Sequence, residues 1–275
     1  MPLLLDDQPR TWSRRQPPPA DRRRPLMRHT WRNLLFLHWR FPPELISPRL
    51  PGGLTLETFD GSAWVGIVPF FMRNIRLRGT PALPFVSNFL ELNLRTYAVA
   101  DNGVSGVWFL SLDANQPLAV WGARTFYHLP YEHAAMRAWG DVPHGRVAFQ
   151  SHRRRSPHSL TCRFEYAPSG PARLAEPDTL EHFLIERYTL FACRPDGLLR
   201  SGLVQHPPYE ISDVQLGHWD EHLLELNGLT PAGRPPDHAV MSLGVDVDVW
   251  PLEPIGPPKR RETSRPAPER LVEQL

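Results

Sequence analysis

The chain has 275 residues, 41% of them hydrophobic and 22% charged, and a formal net charge of +2. That is enough apolar content for one large domain with a buried core. So small a net charge leaves no electrostatic footprint for nucleic acid or an acidic surface. Arginine supplies nearly all of the basic residues, and the single lysine is Lys259, so amine chemistry has one side-chain candidate, close to the C-terminus.

Residues 1–25 carry Pro17-Pro18-Pro19 and Arg22-Arg23-Arg24 without apolar periodicity, which reads as a disordered basic arm. Leu3-Leu4-Leu5, followed at once by Asp6 and Asp7, is too short for a signal-peptide core. No apolar run reaches the ~20 residues of a membrane span. A cytoplasmic protein with no membrane partner is expected. Residues 26–252 follow without a linker-like break and read as one domain. Residues 253–275, with Pro254, Pro257, Pro258, Pro266 and Pro268, read as a second disordered tail.

Within the domain, short strands predominate. Apolar runs predict them over residues 30–39, 62–71 (after the turn signal Asp60-Gly61), 89–97, 104–112 (after Asn102-Gly103), 118–129, 161–166 and 240–250. In the last, Val245, Val247 and Val249 alternate with Asp246, Asp248 and Trp250, which predicts one wet face. Helices are fewer. Pro130 at a first helical position predicts one through Ala134, Ala135, Ala138 and Trp139. Asp178-Thr179-Leu180-Glu181 resembles a capping box and opens a helix over 179–191. A third covers 218–226 and stops at Gly228. Without βαβ alternation, the fold class is β-rich α+β. Cys162 and Cys193 show no metal or redox spacing and read as reduced thiols.

Residues 89–97 carry the first candidate constellation. Side chains alternate along a strand, so Leu90, Leu92 and Leu94 share one face, and Glu91, Asn93, Arg95 and Tyr97 the other. That polar row fits a solvated outer face or the lumen of a closed barrel. The second constellation is Ala123–Tyr131. In a strand, Arg124, Phe126 and His128 share a face. A strand-to-helix junction at Pro130 would offer free N–H groups to an anion, and Arg124 could clamp its carboxylate. His206 precedes a rigid proline pair, as a site residue or a strand end, and Arg187 is expected to pair with another element. His38, His128 and His206 with Glu91 follow no recognised zinc spacing, so neither metal nor other cofactor is expected. His152-Arg153-Arg154-Arg155 lacks interleaved aromatics and reads as a solvated loop rather than a nucleic-acid contact.

These segments also carry a resemblance. Leu-Leu-Phe-Leu-His-Trp (34–39), Phe-Asp-Gly-Ser-Ala-Trp-Val-Gly-Ile-Val-Pro-Phe (59–70), Phe-Leu-Glu-Leu-Asn-Leu-Arg-Thr-Tyr (89–97), Gly-Val-Trp-Phe-Leu-Ser-Leu-Asp (106–113), Ala-Arg-Thr-Phe-Tyr-His-Leu-Pro-Tyr (123–131), Ile-Glu-Arg-Tyr (185–188) and His-Pro-Pro-Tyr (206–209) resemble the YqjF-like family. That family is a domain of unknown function grouped by fold with acetoacetate decarboxylase. The resemblance covers about residues 26–250. It implies a cone-shaped antiparallel β-barrel with flanking helices and a central cavity.

In acetoacetate decarboxylase, a Gly-Arg-Glu stretch leads through a proline to two consecutive lysines, the first of which forms a Schiff base. Here Ala123-Arg124-Thr125 leads to Pro130, and Tyr131 and Glu132 stand where the lysines would be. Glu91 resembles the enzyme's active-site glutamate in place. A phenol forms no iminium, so the resemblance implies a pocket without its amine. Glu91 and Tyr131 are then the catalytic candidates. Arg124 and Arg95 are the carboxylate-binding ones, with His38, His128 and His206 around them. The expected function is binding of a small organic acid, with acid–base chemistry of a lyase or hydrolase-like kind, or non-catalytic ligand binding or sensing in the same cavity. The expected partner is a small molecule, and a homo-oligomer is compatible with this reading.

Overall fold

The computed structural model describes residues 24–140, 145–230 and 233–255. Most of the predicted N-terminal arm and C-terminal tail, Lys259 included, lies outside them. β-branched and aromatic runs fold as strands: β1 (Met27–Phe41), β2 (Leu54–Leu56), β3 (Ala63–Leu77), β4 (Phe89–Ala100), β5 (Ser105–Ala114), β6 (Tyr131–Trp139), β7 (Val147–Arg153), β8 (Cys162–Arg173), β9 (Thr189–Cys193), β10 (Leu199–Gln205), β11 (Ile211–Trp219), β12 (His238–Val249) and β13 (Glu253–Pro254). The helices are short: α1 (Pro43–Ile46), α2 (Pro117–Gly122), α3 (Leu180–Ile185) and α4 (His222–Glu225).

All the strands belong to one sheet that wraps back on itself. The ladder β5-β6-β7-β8-β11-β12-β1-β3-β4 is closed by the pairing of β4 with β5. A second circuit, β12-β10-β9-β5-β4-β3-β1, is closed by the pairing of β10 with β12. The circuits share β1, β3, β4, β5 and β12, so these strands have an interior on each face. That is why β1 and β3 read as almost unbroken apolar runs: both faces of Leu34–Trp39 are buried. The antiparallel expectation needs one correction. β5 runs parallel to both β6 and β9, because α2 crosses over between β5 and β6, and β6, β7, β8 and α3 all intervene before the chain returns to β5 as β9. Gly106 permits the β5–β9 approach, since a Cβ there would meet the Thr189 carbonyl at 2.6 Å.

Side-chain alternation sorts the shared strands into two cores. Leu35, Leu37, Val65, Ile67, Leu92 and Leu94 pack with Phe149, Phe164 and Met241 inside the first circuit. Leu34, Phe36, Val68, Phe70, Met72 and Phe89 face the second. The polar row of β4 is therefore interior: Glu91, Asn93, Arg95 and Tyr97 are all buried.

The largest difference from the sequence reading lies between 117 and 139. The predicted strand 118–129 is helical, formed by α2 and a π-helical turn over Ala123–Tyr127. Pro117 starts it, and the Gln116 side chain caps the Leu118 N–H at 2.8 Å. The predicted helix from Pro130 is strand β6, in which Leu112 pairs with Tyr131 and Ala134 with Arg153. Sheet pairing on both sides overrides the helix preference of the alanine-rich run. His128, at φ 51°, makes the left-handed turn that ends the helical stretch.

The other helices are shorter than predicted. The helix over 179–191 ends at Ile185, and Thr189 opens β9; its cap is the Thr179 hydroxyl, which accepts from the His182 N–H. The helix over 218–226 shrinks to α4, because 218 and 219 pair within β11; Gly228 has the expected positive φ. Asp246 is exposed and the neighbouring valines buried, but Trp250 leaves the wet face and is buried. Both cysteines are free thiols. In the basic run, Arg153 is not solvated: it forms an ion pair with buried Asp113 at 2.8 Å and donates to Ser111 Oγ.

Candidate functional site

Inside the second circuit lies a cavity of about 630 Å³. Along β4 its wall reads Phe89, Glu91, Asn93, Arg95, from the open end to the closed one. Beside this row in the sheet stand Met72, Phe70 and Val68 of β3, and next to them Trp31, Leu34 and Phe36 of β1. The register sets this order: Phe89 lies across from Met72, and Arg95 across from Gly66. A Cβ on Gly66 would meet the His38 ring at 2.8 Å and Arg95 Cγ at 3.6 Å, so this glycine makes room for both. α2 and the π-helical turn cover one side through Ala119, Ala123 and Tyr127.

Glu91 is central. Tyr131, the first residue of β6, donates its hydroxyl to Glu91 Oε2 at 2.8 Å. Burial pushes the Glu91 carboxyl up to about 8, opposed by the Tyr131 hydrogen bond and reinforced by the Asp113 charge. At neutral pH the carboxyl is largely protonated. Burial also holds the Tyr131 phenol well above its ordinary range, and the Glu91 charge adds to that. The pair offers a proton donor and a hydrogen-bonding hydroxyl at one point on the wall.

Arg95 lies deeper. Its Nη2 donates to the Leu184 carbonyl at 3.0 Å, and its guanidinium sits 5.4 Å over the Phe36 ring. No carboxylate among the described residues forms an ion pair with it, and its Nε has no hydrogen-bond partner there. Asn93 Oδ1 is likewise unpartnered, as are polar atoms of His29, Trp31 and Tyr127, and all of these residues line the cavity. An unpaired buried cation is costly, and a ligand anion would relieve that cost.

The remaining candidates go elsewhere. Arg124 is 49% exposed and ion-pairs with Glu132 at 3.0 Å, while its Nε donates to the Tyr131 carbonyl. With His128 it lines a separate surface depression, alongside Arg49 and Arg194. The expected carboxylate clamp and helix N-terminus at Pro130 are absent because the chain there enters a strand. His38 lies behind the cavity wall. One nitrogen is 2.9 Å from the Tyr97 hydroxyl and the other 3.0 Å from His238 Nδ1. Burial, then the His238 and Arg95 charges, keep it neutral. His206 is buried between Tyr188 and Tyr209, with Nδ1 2.7 Å from the Pro207 carbonyl. The three histidines and Glu91 do not converge, and no group of three His, Cys, Asp or Glu among the described residues is placed to hold a metal. Arg187 does pair with another element: it meets Glu57 at 2.6 Å at the cavity's deep end.

Sequence reasoning left His29 and Tyr127 out of the site. Burial pushes the His29 imidazole down to about 4. The β1 alternation His29–Trp31 could have found the first. Tyr127 was hidden by the strand assignment of its segment.

A family model described as "Uncharacterized conserved protein", DUF2071, matches residues 28–246. The "Uncharacterized protein YqjF" of Bacillus subtilis (strain 168) is 34% identical over 228 residues, covering 82% of this chain and 91% of that protein. Solved structures share the fold at low identity. Acetoacetate decarboxylase from Legionella pneumophila matches with TM-score 0.56 and 12% identity over 85% of this chain and 88% of its own. The enduracididine biosynthesis enzyme MppR, complexed with pyruvate, matches with TM-score 0.57 and 12% identity over 86% and 93%. The chain belongs to the DUF2071 family and has the acetoacetate decarboxylase-like fold.

Proposed function

We propose that this DUF2071 protein binds an organic acid in the cavity of its second circuit and acts on it by proton transfer from Glu91. The observation that carries this reading is the Glu91–Tyr131 pair, placed on the same wall as a buried Arg95 that has no carboxylate partner among the described residues. Arg95, with Asn93, holds the acid group. Glu91, protonated at neutral pH, donates its proton to the ligand, and Tyr131, whose one hydroxyl proton is engaged with Glu91 Oε2, orients that carboxyl. His38 and His206 act by supporting the wall behind Arg95 rather than by touching the ligand. Arg124 positions Tyr131 through the backbone.

The chemistry differs from that of a Schiff-base enzyme, because residues 24–255 contain no lysine. The protein acts as a general acid–base catalyst or, as a second reading favoured by that missing amine, as a binding module alone. Borohydride with acetoacetate or pyruvate is expected to trap no covalent adduct in residues 24–255, as read by peptide mass spectrometry; an adduct there overturns the mechanism. Glu91→Gln separates the two readings. For any acid the protein converts, the catalytic reading expects lost turnover with binding retained, and unchanged turnover removes Glu91 from the chemistry.

A further inference from the structure

The site's polar groups occupy a small part of its surface. At about 30 Å³ per water in the liquid, a cavity of about 630 Å³ has the volume of some twenty waters. A keto acid of pyruvate or acetoacetate size, with no more than about seven non-hydrogen atoms, would leave most of it to water. Water is poorly held there, because Leu34, Phe36, Val68, Phe70, Met72 and Phe89 offer it no hydrogen bonds. Apolar walls of this extent are worth most to a ligand that brings apolar surface of its own.

The cavity is also long and polarised. Arg95 and Phe89 are six positions apart on β4, which is about 20 Å at roughly 3.3 Å per residue. The Arg95 end is closed by Tyr97, Phe183 and Leu184, all fully buried. The far end opens between apolar side chains that remain exposed: Leu77 (53%), Leu118 (61%) and Phe126 (63%). Charge sits at the floor, a proton donor midway and hydrocarbon at the rim.

We propose that the ligand is a long amphipathic acid, with its acid group on Arg95, its middle beside Glu91 and Tyr131, and its hydrocarbon chain running past Phe89 to the Leu77–Leu118–Phe126 rim. This rests on the organic-acid reading above and adds the size and class of the molecule. A short acid engages only the floor. A long one fills the apolar channel and meets the rim.

The test is calorimetric titration of the full chain with straight-chain monocarboxylates from acetate to hexadecanoate, each below its micellar concentration, alongside the matching alcohols. Affinity is expected to climb roughly threefold to fourfold per added methylene over the middle of the series, with each acid tighter than its alcohol. Leu118→Glu, at an exposed rim position, is expected to weaken hexadecanoate, which is long enough to reach the rim from Arg95, at least fivefold and leave butyrate unchanged. Affinity that is flat or falls beyond butyrate overturns this inference while leaving the organic-acid reading standing. If acids bind no better than alcohols at every length, or nothing binds, the acid site itself fails and both readings fall.

Discussion

Glu91 and Leu92 are neighbours in the chain, equally buried, and belong to different environments. Leu92 packs among Leu37, Ile67 and Phe149 in the closely filled first core. Glu91 faces the hollow second one. The contrast extends to charge. On the filled side, Asp113 and Arg153 make a direct ion pair with Ser111 attached. On the hollow side, no carboxylate among the described residues pairs with the buried Arg95. A protein interior that is fully satisfied is a structural element. One that leaves a cation, an amide oxygen and a protonated carboxyl on a cavity wall is the arrangement on which the organic-acid proposal rests.

The sharpest way to break this comparison is to remove the cation from each side. Arg153→Met strands the buried Asp113 carboxylate, and we expect a loss of about 3–5 kcal/mol. Arg95→Met strands no carboxylate among the described residues, and the Leu184 carbonyl it leaves still accepts from the Tyr97 hydroxyl at 2.8 Å. We expect that variant to lose less than about 1 kcal/mol. Urea unfolding measures both, and equal losses would mean that Arg95 has a structural partner after all.

A smaller contrast uses one residue type. Leu92→Ala should cost about 2–5 kcal/mol, because it opens a void in a packed core. Leu34→Ala, buried on the cavity wall, should cost about 1–2 kcal/mol, since that side chain already lacks neighbours on one side. If Leu34→Ala costs as much as Leu92→Ala, the second core is filled in solution.

The remaining contrast is a change of slope with pH. Glu91 titrates near 4.5 when unfolded and near 8 in the fold. Between those values the folded chain keeps a proton that the unfolded chain has released. The stabilisation is therefore complete below about pH 4.5 and is lost as pH rises to about 8. His29, pushed down to about 4 from 6.5, tilts stability upward between those values, equally in parent and variant. Glu91→Gln removes only the first effect. Its Tm relative to the parent should rise steadily from pH 4.5 to 8, and a parallel pair of curves would place the Glu91 carboxyl in contact with water.

Much of the fold was legible locally. Strand runs at 30–39, 62–71, 89–97 and 104–112 appear within β1, β3, β4 and β5, because apolar alternation and the turns at Gly61 and Gly103 are short-range signals. The error at 117–139 has the same origin. Alanine-rich Tyr131–Trp139 favours a helix by propensity and becomes a strand because Leu112 and Arg153 lie on either side of it in space. That inversion turned Arg124 from a candidate clamp into a surface ion pair.

The sequence by itself determined that β4 carries Glu91, Asn93 and Arg95 on one face and three leucines on the other, since side-chain alternation belongs to any strand. It also determined that no lysine falls in residues 24–255. Only the tertiary structure decided that neither face of β4 is wet. That follows from two closures, β4 on β5 and β10 on β12, which join residues far apart in the chain and leave no local trace. Once the sheet has wrapped, the polar row has no route to water except through the cavity, and the cost of burying such groups there is the physical basis of the proposed site.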